Sequence, residues 1–157
     1  MILNFDKYNV IHKARSQNTN GAGGVAILIR KDLSYQEIND EIIDGLECVA
    51  AQVHLNNFKF VFVSYYNPPQ HQLNAHKITE LQKKYKNLIM CGDLNAKSTN
   101  LGCKNNNTNG EVLEDLLINS NLIAVNNKDY TYSRINDNTQ DILDWCLISN
   151  SIFDKFN

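Results

Sequence analysis

Apolar and polar residues alternate over 47–55, with Val49, Ala51, Val53 and Leu55 on one face, and the chain then turns at Asn56-Asn57. That alternation predicts a half-buried strand, and a two-residue linker of this composition predicts a hairpin. The returning run Phe58-Lys59-Phe60-Val61-Phe62-Val63-Ser64-Tyr65 sets three phenylalanines on one face and two valines on the other. A strand apolar on both faces belongs in the middle of a layered structure. Pro68-Pro69 ends it, because proline cannot donate to a ladder.

From about Leu73 to Lys86 the pattern changes to a helical one. Ile78, Leu81 and Tyr85 mark an inner face, and Lys77, Lys83, Lys84 and Lys86 lie elsewhere. Residues 87–91 read as a buried strand. A second helix is predicted from about Gly110 to Asn119, with Leu113, Leu116 and Leu117 inward and Glu111 in the first turn, where the helix dipole favours a negative charge. Short strands are predicted at 122–125, 130–133 and 142–148. Near the front, Tyr8, Val10 and Ile11 suggest a short strand, and Ser16 to Asn20 a polar loop. Gly21-Ala22-Gly23-Gly24 then reads as a turn feeding a strand, Val25 to Ile29, buried on both faces. The glycine run lacks the GxxxxGK[ST] spacing of a phosphate loop, and a strand follows it instead of a helix. Strands outnumber helices, which suits two packed sheets with helices outside.

Composition narrows the class. At 157 residues the chain is about one domain long, and 43% hydrophobic residues suffice for a core. The net charge of -2 leaves no overall electrostatic footprint for nucleic acid. A local basic rim would have to come from Arg30-Lys31, Lys83-Lys84 with Lys86, Lys97 and Lys104. Met1 to Asp6 is too short and polar for a secretory leader, and no apolar run reaches the length of a membrane span. Cys48, Cys91, Cys103 and Cys146 show no CxxC spacing, so a zinc site is not expected, and three sit in or beside apolar segments as small hydrophobes. Together these predict an intracellular, reducing setting. The run Asn105-Asn106-Asn107-Thr108-Asn109 predicts a loop.

Candidate chemistry gathers at strand ends. Cys91-Gly92-Asp93-Leu94-Asn95-Ala96 directly follows the apolar Leu88-Ile89-Met90. A carboxylate and an amide two residues apart at a strand mouth can point the same way, one to handle a proton and one to hold a phosphate oxygen. The plain alternative is a polar turn closing a core strand. Three other pieces accompany it: Ser64-Tyr65-Tyr66-Asn67-Pro68-Pro69, Tyr130-Thr131-Tyr132, and Asp141-Ile142-Leu143-Asp144-Trp145-Cys146-Leu147-Ile148-Ser149. Taken singly, Tyr66 also reads as a core aromatic, Asp144 as a carboxylate satisfied by backbone amides, and Asp141 as a turn residue.

In order and spacing these pieces, with Gly-Gly-Val-Ala-Ile near the front, resemble the endonuclease/exonuclease/phosphatase family. Within it they look most like the apurinic-type endonuclease domain of non-LTR retrotransposons. The resemblance implies an α+β fold, the four-layer α/β/β/α sandwich of DNase I-like proteins, here incomplete, with residues 1–157 as a single truncated domain. It implies a metal-dependent phosphodiester hydrolase that nicks DNA. Tyr66 would contact the scissile phosphate, Asp93 activate water or protonate the leaving oxygen, Asn95 orient the phosphate, Thr131 line the cleft, and Asp144 pair with a histidine. Mg2+ or Mn2+ would be the cofactor, DNA the partner, a reverse transcriptase a neighbour in a parent polyprotein, and the nucleus the place of action.

The chain also departs from the family pattern. The strands that carry the metal-binding glutamate would fall before residue 7, and a Ser-Asp-His ending would fall after the Asp144 strand. His12, His54, His71 and His76 do not match the catalytic histidine, and Lys97 stands where a histidine often follows the Asn-Ala pair. The expectation is a chain inactive by itself. The alternatives are a non-catalytic or nucleic-acid-binding protein of the same fold, and a phosphatase or phosphodiesterase acting on a small phosphate ester.

Overall fold

The computed structural model describes residues 5–15, 23–134 and 139–153; the predicted loop from Ser16 to Asn20 and the first half of the glycine run lie outside them. The hairpin predicted at 47–65 is present as β4 (Glu47–Leu55) and β5 (Phe58–Tyr66), paired from Leu55↔Phe58 to Glu47↔Tyr66. Asn56 takes a positive φ of 53° at the turn, a conformation asparagine tolerates better than most residues. Two strands precede the hairpin as an antiparallel pair, β1 (Tyr8–Ala14) and β2 (Gly24–Arg30). A third, β3 (Ser34–Ile38), pairs with β4 and has no counterpart in the sequence pattern.

The first helix, α1 (Ala75–Lys84), starts at Asn74, whose side chain accepts from Lys77 N–H. Its predicted inner residues Ile78 and Leu81 are fully buried and Tyr85 half-buried. After β6 (Leu88–Asp93) comes α2 (Thr108–Asn119), capped by Asn107, with Leu113 and Leu116 buried. Then follow β7 (Leu122–Ala124), β8 (Tyr132–Arg134), β9 (Thr139–Asp141), β10 (Asp144–Ser149) and the short α3 (Asn150–Phe153). Six strands form the main sheet in the order β3-β4-β5-β6-β10-β7, with β5 and β6 parallel and the other pairs antiparallel.

The sheet buries both faces through β4 and β5. On one face Val61, Val63, Tyr65, Leu88, Met90, Trp145 and Leu147 pack with Ile78 and Leu81 of α1 and Leu113 and Leu116 of α2. On the other, Val49, Ala51 and Val53 pack with Ile11, Val25 and Ile29 of the β1–β2 pair. The described residues thus stack helices, a large sheet and a small sheet, the α+β layering expected. One expectation is corrected here. The strand at 25–29 is not buried on both faces: Val25 and Ile29 are buried, while Ala26 and Leu28 are exposed. The β1–β2 pair has the large sheet on one side only, so a continuous apolar run did not imply two covering layers. Among the described residues, no helix is long and apolar enough to cross a membrane.

Candidate functional site

The strands of the large sheet deliver three predicted residues to one end. β5 and β6 pair in register from Val61↔Leu88 to Ser64↔Cys91, and beyond them Asn67 N–H donates to Asp93 C=O at 2.8 Å. Val61 N–H donates to Asn87 C=O with the same spacing, so the parallel register runs unbroken to the strand ends and carries Tyr66 and Asp93 out side by side. Gly92 permits a close approach of the two strands: with φ at +151°, a Cβ there would lie 1.8 Å from the Tyr65 carbonyl oxygen. β10 runs antiparallel to β6 and sets Asp144 directly opposite Asp93. Tyr66, Asp93 and Asp144 therefore arrive from adjacent strands on the sheet face turned away from α1 and α2.

Asparagines hold the loop that follows. Asp93 Oδ1 accepts from Asn95 N–H at 2.9 Å, and Asn95 sits at φ +47°. Asn95 Nδ2 donates to Asn67 C=O at 3.0 Å, which ties the amide of the acidic motif to the residue after Tyr66. Asn67, 2% exposed, accepts from Tyr65 O–H and donates to the carbonyls of His71 (3.0 Å) and Leu94 (3.3 Å). Asn107 does three jobs at once. Its Oδ1 accepts from Gly110 N–H at 2.8 Å as the cap of α2 and from Lys97 N–H at 2.9 Å, and its Nδ2 donates to Asn95 C=O at 2.8 Å. The start of α2 is thereby clamped onto the loop that carries Asn95.

Thr131 completes the grouping. Its Oγ1 accepts from both Leu143 N–H and Asp144 N–H at 3.0 Å, so it fixes the backbone at the start of β10 while Asp144 keeps an exposed side chain. It lies one residue before β8, not within the strand predicted at 130–133. Asp93 is half-buried. Burial pushes its carboxyl above the usual range, the Asn95 N–H opposes that, and the Asp144 charge across the ladder adds to it. A carboxyl that holds its proton more firmly than usual is suited to general-acid work.

Asp141 is the main correction at the site. Expected as a turn residue, it is 0% exposed, with Oδ1 accepting from Lys104 N–H (3.2 Å) and Ile142 N–H (3.1 Å) and Oδ2 ion-paired to Lys97 Nζ at 3.1 Å. Burial pushes its carboxyl up, but Lys97 and the two N–H groups together outweigh that and hold it below the usual range. Lys97 thus fastens the motif loop to the β9–β10 corner.

Cations stand on both sides of the grouping. The Arg15 guanidinium lies 4.6 Å from the centre of the Tyr66 ring while paired with Glu47 at 2.9 Å, and Lys104 Nζ lies 4.7 Å from the centre of the Tyr130 ring. A cavity of about 510 Å³ beside Tyr66 is lined by Lys13, Arg15, Glu47, Asn67 and His71 among others. Of the proposed basic rim, Lys97 and Lys104 lie at this end. Arg30-Lys31 sit at the opposite end of the β1–β2 hairpin from Arg15, and Lys83, Lys84 and Lys86 precede the start of β6, away from Asp93.

The family model described as endonuclease-reverse transcriptase matches residues 60–156, more than half of the chain and all five predicted site residues. The chain belongs to the endonuclease-reverse transcriptase family. Among solved structures, it is similar to the endonuclease domain of TRAS1, a telomere-specific non-LTR retrotransposon, at 24% identity and a TM-score of 0.78, over 96% of this chain and 70% of that one. It is similar to the 3' phosphatase NExo from Neisseria at 11% identity and a TM-score of 0.65, over 92% of this chain and 68% of that one. An endonuclease/exonuclease/phosphatase family protein from Bacteroides thetaiotaomicron gives 15% identity and a TM-score of 0.58, over 93% of this chain and 61% of that one. These likenesses show the DNase I-like fold. Comparison with curated proteins gave no match.

The metal implied by the resemblance finds an incomplete set of ligands. Asp93 and Asp144 face each other, but among the described residues no group of three or more histidines, cysteines, aspartates and glutamates stands ready to hold an ion. His12, His71 and His76 are exposed, and His54 is held by Gln52 at 3.2 Å. Asn67, Asn107, Arg15 and the Lys97–Asp141 pair were missed by sequence reasoning. Asn67 alone carried a signal, standing between a site tyrosine and a proline turn; Asn107 was hidden in a run of asparagines.

Proposed function

We propose that this chain carries the phosphodiester-binding face of a DNA-nicking endonuclease of the retrotransposon type. The observation that supports it best is the convergence of Tyr66, Asp93, Asn95 and Asp144 at adjoining strand ends of β5, β6 and β10. In this reading the Tyr66 hydroxyl and the Asn95 amide hold the non-bridging oxygens of a backbone phosphate. Asp93, whose carboxyl burial and the facing Asp144 push upward, passes a proton to the leaving oxygen. Thr131 fixes the direction of Asp144. Arg15 and Lys104 supply positive charge on either side for a polyanion. Mg2+ or Mn2+ belongs to the activity of the family, and the acidic and histidine donors among the described residues do not complete a ligand set for it. In the parent setting the partner is chromosomal DNA in the nucleus, with a reverse transcriptase to extend the nicked end.

Supercoiled plasmid incubated with the chain and Mg2+ tests both halves of this reading. The expected result is DNA binding that weakens steeply with added salt and no nicking above the buffer background, since catalytic groups that act as a unit fail together. Asn95→Ala should weaken binding. Absence of DNA binding at low salt would overturn the reading, and robust nicking would overturn the claim that the site is incomplete. A 3'-phosphorylated oligonucleotide added as substrate distinguishes the small-ester alternative, which the Neisseria 3' phosphatase brings to mind through shared fold alone.

A further inference from the structure

Cys91 and Cys146 lie in apolar runs, where a cysteine is expected to pack as a small hydrophobe, but neither is buried. Cys48 and Cys103 are buried, but Cys91 is exposed and Cys146 half-exposed. The two are directly opposed in the β6–β10 ladder. Cys146 turns its N–H to Asn126 and its C=O to Val125 N–H on the other side of its strand. It therefore exchanges no backbone bonds with Cys91, and the pair occupies a non-hydrogen-bonded position, where opposed Cα atoms stand about 4.5 Å apart and side chains come closest. The sulfurs share a hydrogen bond at 3.2 Å. Cross-strand Cα separations of about 4.5 Å lie inside the range that disulfides span. Both side chains lie on the face that carries Asp93 and Asp144, one non-hydrogen-bonded pair further along the same ladder.

We propose that Cys91 and Cys146 form a dithiol site that reacts with low-molecular-weight disulfides and closes to a cross-strand disulfide under the acidic pair. This inference stands on the ladder geometry and is independent of the proposed nuclease role. The exposed Cys91 loses its proton and attacks one sulfur of the small disulfide, forming a mixed disulfide and releasing one small thiol. Cys146 then loses its proton and attacks the Cys91 sulfur, forming the Cys91–Cys146 bond and releasing the second small thiol. Two protein thiols are oxidised, the reagent is reduced to two thiols, and the two protons leave on them. Closure pins β6 to β10 beside Asp93 and Asp144, so the spacing of the two acids becomes tied to the thiol redox state.

Peptide mapping by mass, after treating the folded full chain with glutathione disulfide, tests this. The expected product has lost two hydrogens, and its map joins the peptide of β6 to the peptide of β10, with Cys48 and Cys103 still alkylatable. Cys146→Ser should instead stop as a stable glutathione adduct on Cys91. A wild-type chain that accumulates that same adduct without closing, or that leaves Cys91 unreacted, would overturn the proposal. The wild-type map decides the matter even if the variant does not fold.

Discussion

Gly92→Ala is expected to destabilise the chain by about 3 kcal/mol or more, because a methyl group there has nowhere to go and overpacking against fixed backbone is among the costliest small changes. Its Cβ would stand 1.8 Å from the Tyr65 oxygen, 2.8 Å from the Tyr65 carbonyl carbon and 3.1 Å from the Tyr65 nitrogen. All three are main-chain atoms of a central strand, so relief requires moving β5 away from β6. Gly45 provides the control. It also has a positive φ, +78°, but the nearest atom to its Cβ is the flexible Lys77 Nζ at 3.9 Å. Gly45→Ala should therefore cost only about 1 kcal/mol of backbone strain. Urea unfolding of both variants separates close approach from backbone conformation; equal losses would mean that the tight β5–β6 contact contributes nothing.

Lys97→Met should cost about 3 kcal/mol at neutral pH, since removing one partner of a buried ion pair strands the other. Asp141 would remain fully buried, with its Oδ1 still held by Lys104 and Ile142 N–H groups but its Oδ2 facing no cation. The pH dependence follows from the sign of the shift. In the wild-type chain the Asp141 carboxyl lies below its ordinary value of 3.8, so its stabilising contribution is complete above that value and is lost as pH falls through the lower, folded one. In the variant, protonation removes the stranded charge. The gap between wild type and variant should thus narrow as pH falls into that acidic window. A gap that stays constant or widens on acidification would show that the ion pair is not what Lys97 supplies. Adding Asp141→Asn to Lys97→Met should recover part of the loss at neutral pH, because a neutral amide is cheaper to bury than an unpaired carboxylate.

How far the sequence carried the structure depended on which neighbours decided the outcome. The β4–β5 hairpin and both long helices follow from local periodicity, and Val61, Val63, Ile78, Leu81, Leu113 and Leu116 are all buried as their spacing predicts. The placing of Tyr66, Asp93 and Asp144 at strand ends was legible because each stands with a polar side chain where an apolar run breaks, and Asn95 follows two residues past the end of β6. What failed was settled by distant partners. Whether both faces of the 25–29 strand are covered depends on what packs outside it, which no periodicity records. Asp141 looked like a turn residue because its partner Lys97 lies on another loop. Cys91 sits in an apolar run, yet the part of the sheet that carries it lies beside the area covered by the β1–β2 pair, so its thiol is exposed. Asn107 illustrates the limit from the other direction: five polar residues in a row give no sign of which one caps α2 and grips Asn95.

The central claim is that one patch at the ends of β5, β6 and β10 receives a phosphodiester. It is tested most directly by NMR, titrating a short DNA duplex into the labelled chain at low salt and following backbone and side-chain amide shifts. The account predicts that the largest changes fall on the Asn95 side-chain amide and on the amides of Tyr66, Asp93, Thr131 and Asp144, and that they fade as salt is raised. Shifts centred on Lys83, Lys84 and Lys86 at the far end of the sheet, with the Asn95 amide unmoved, would contradict it.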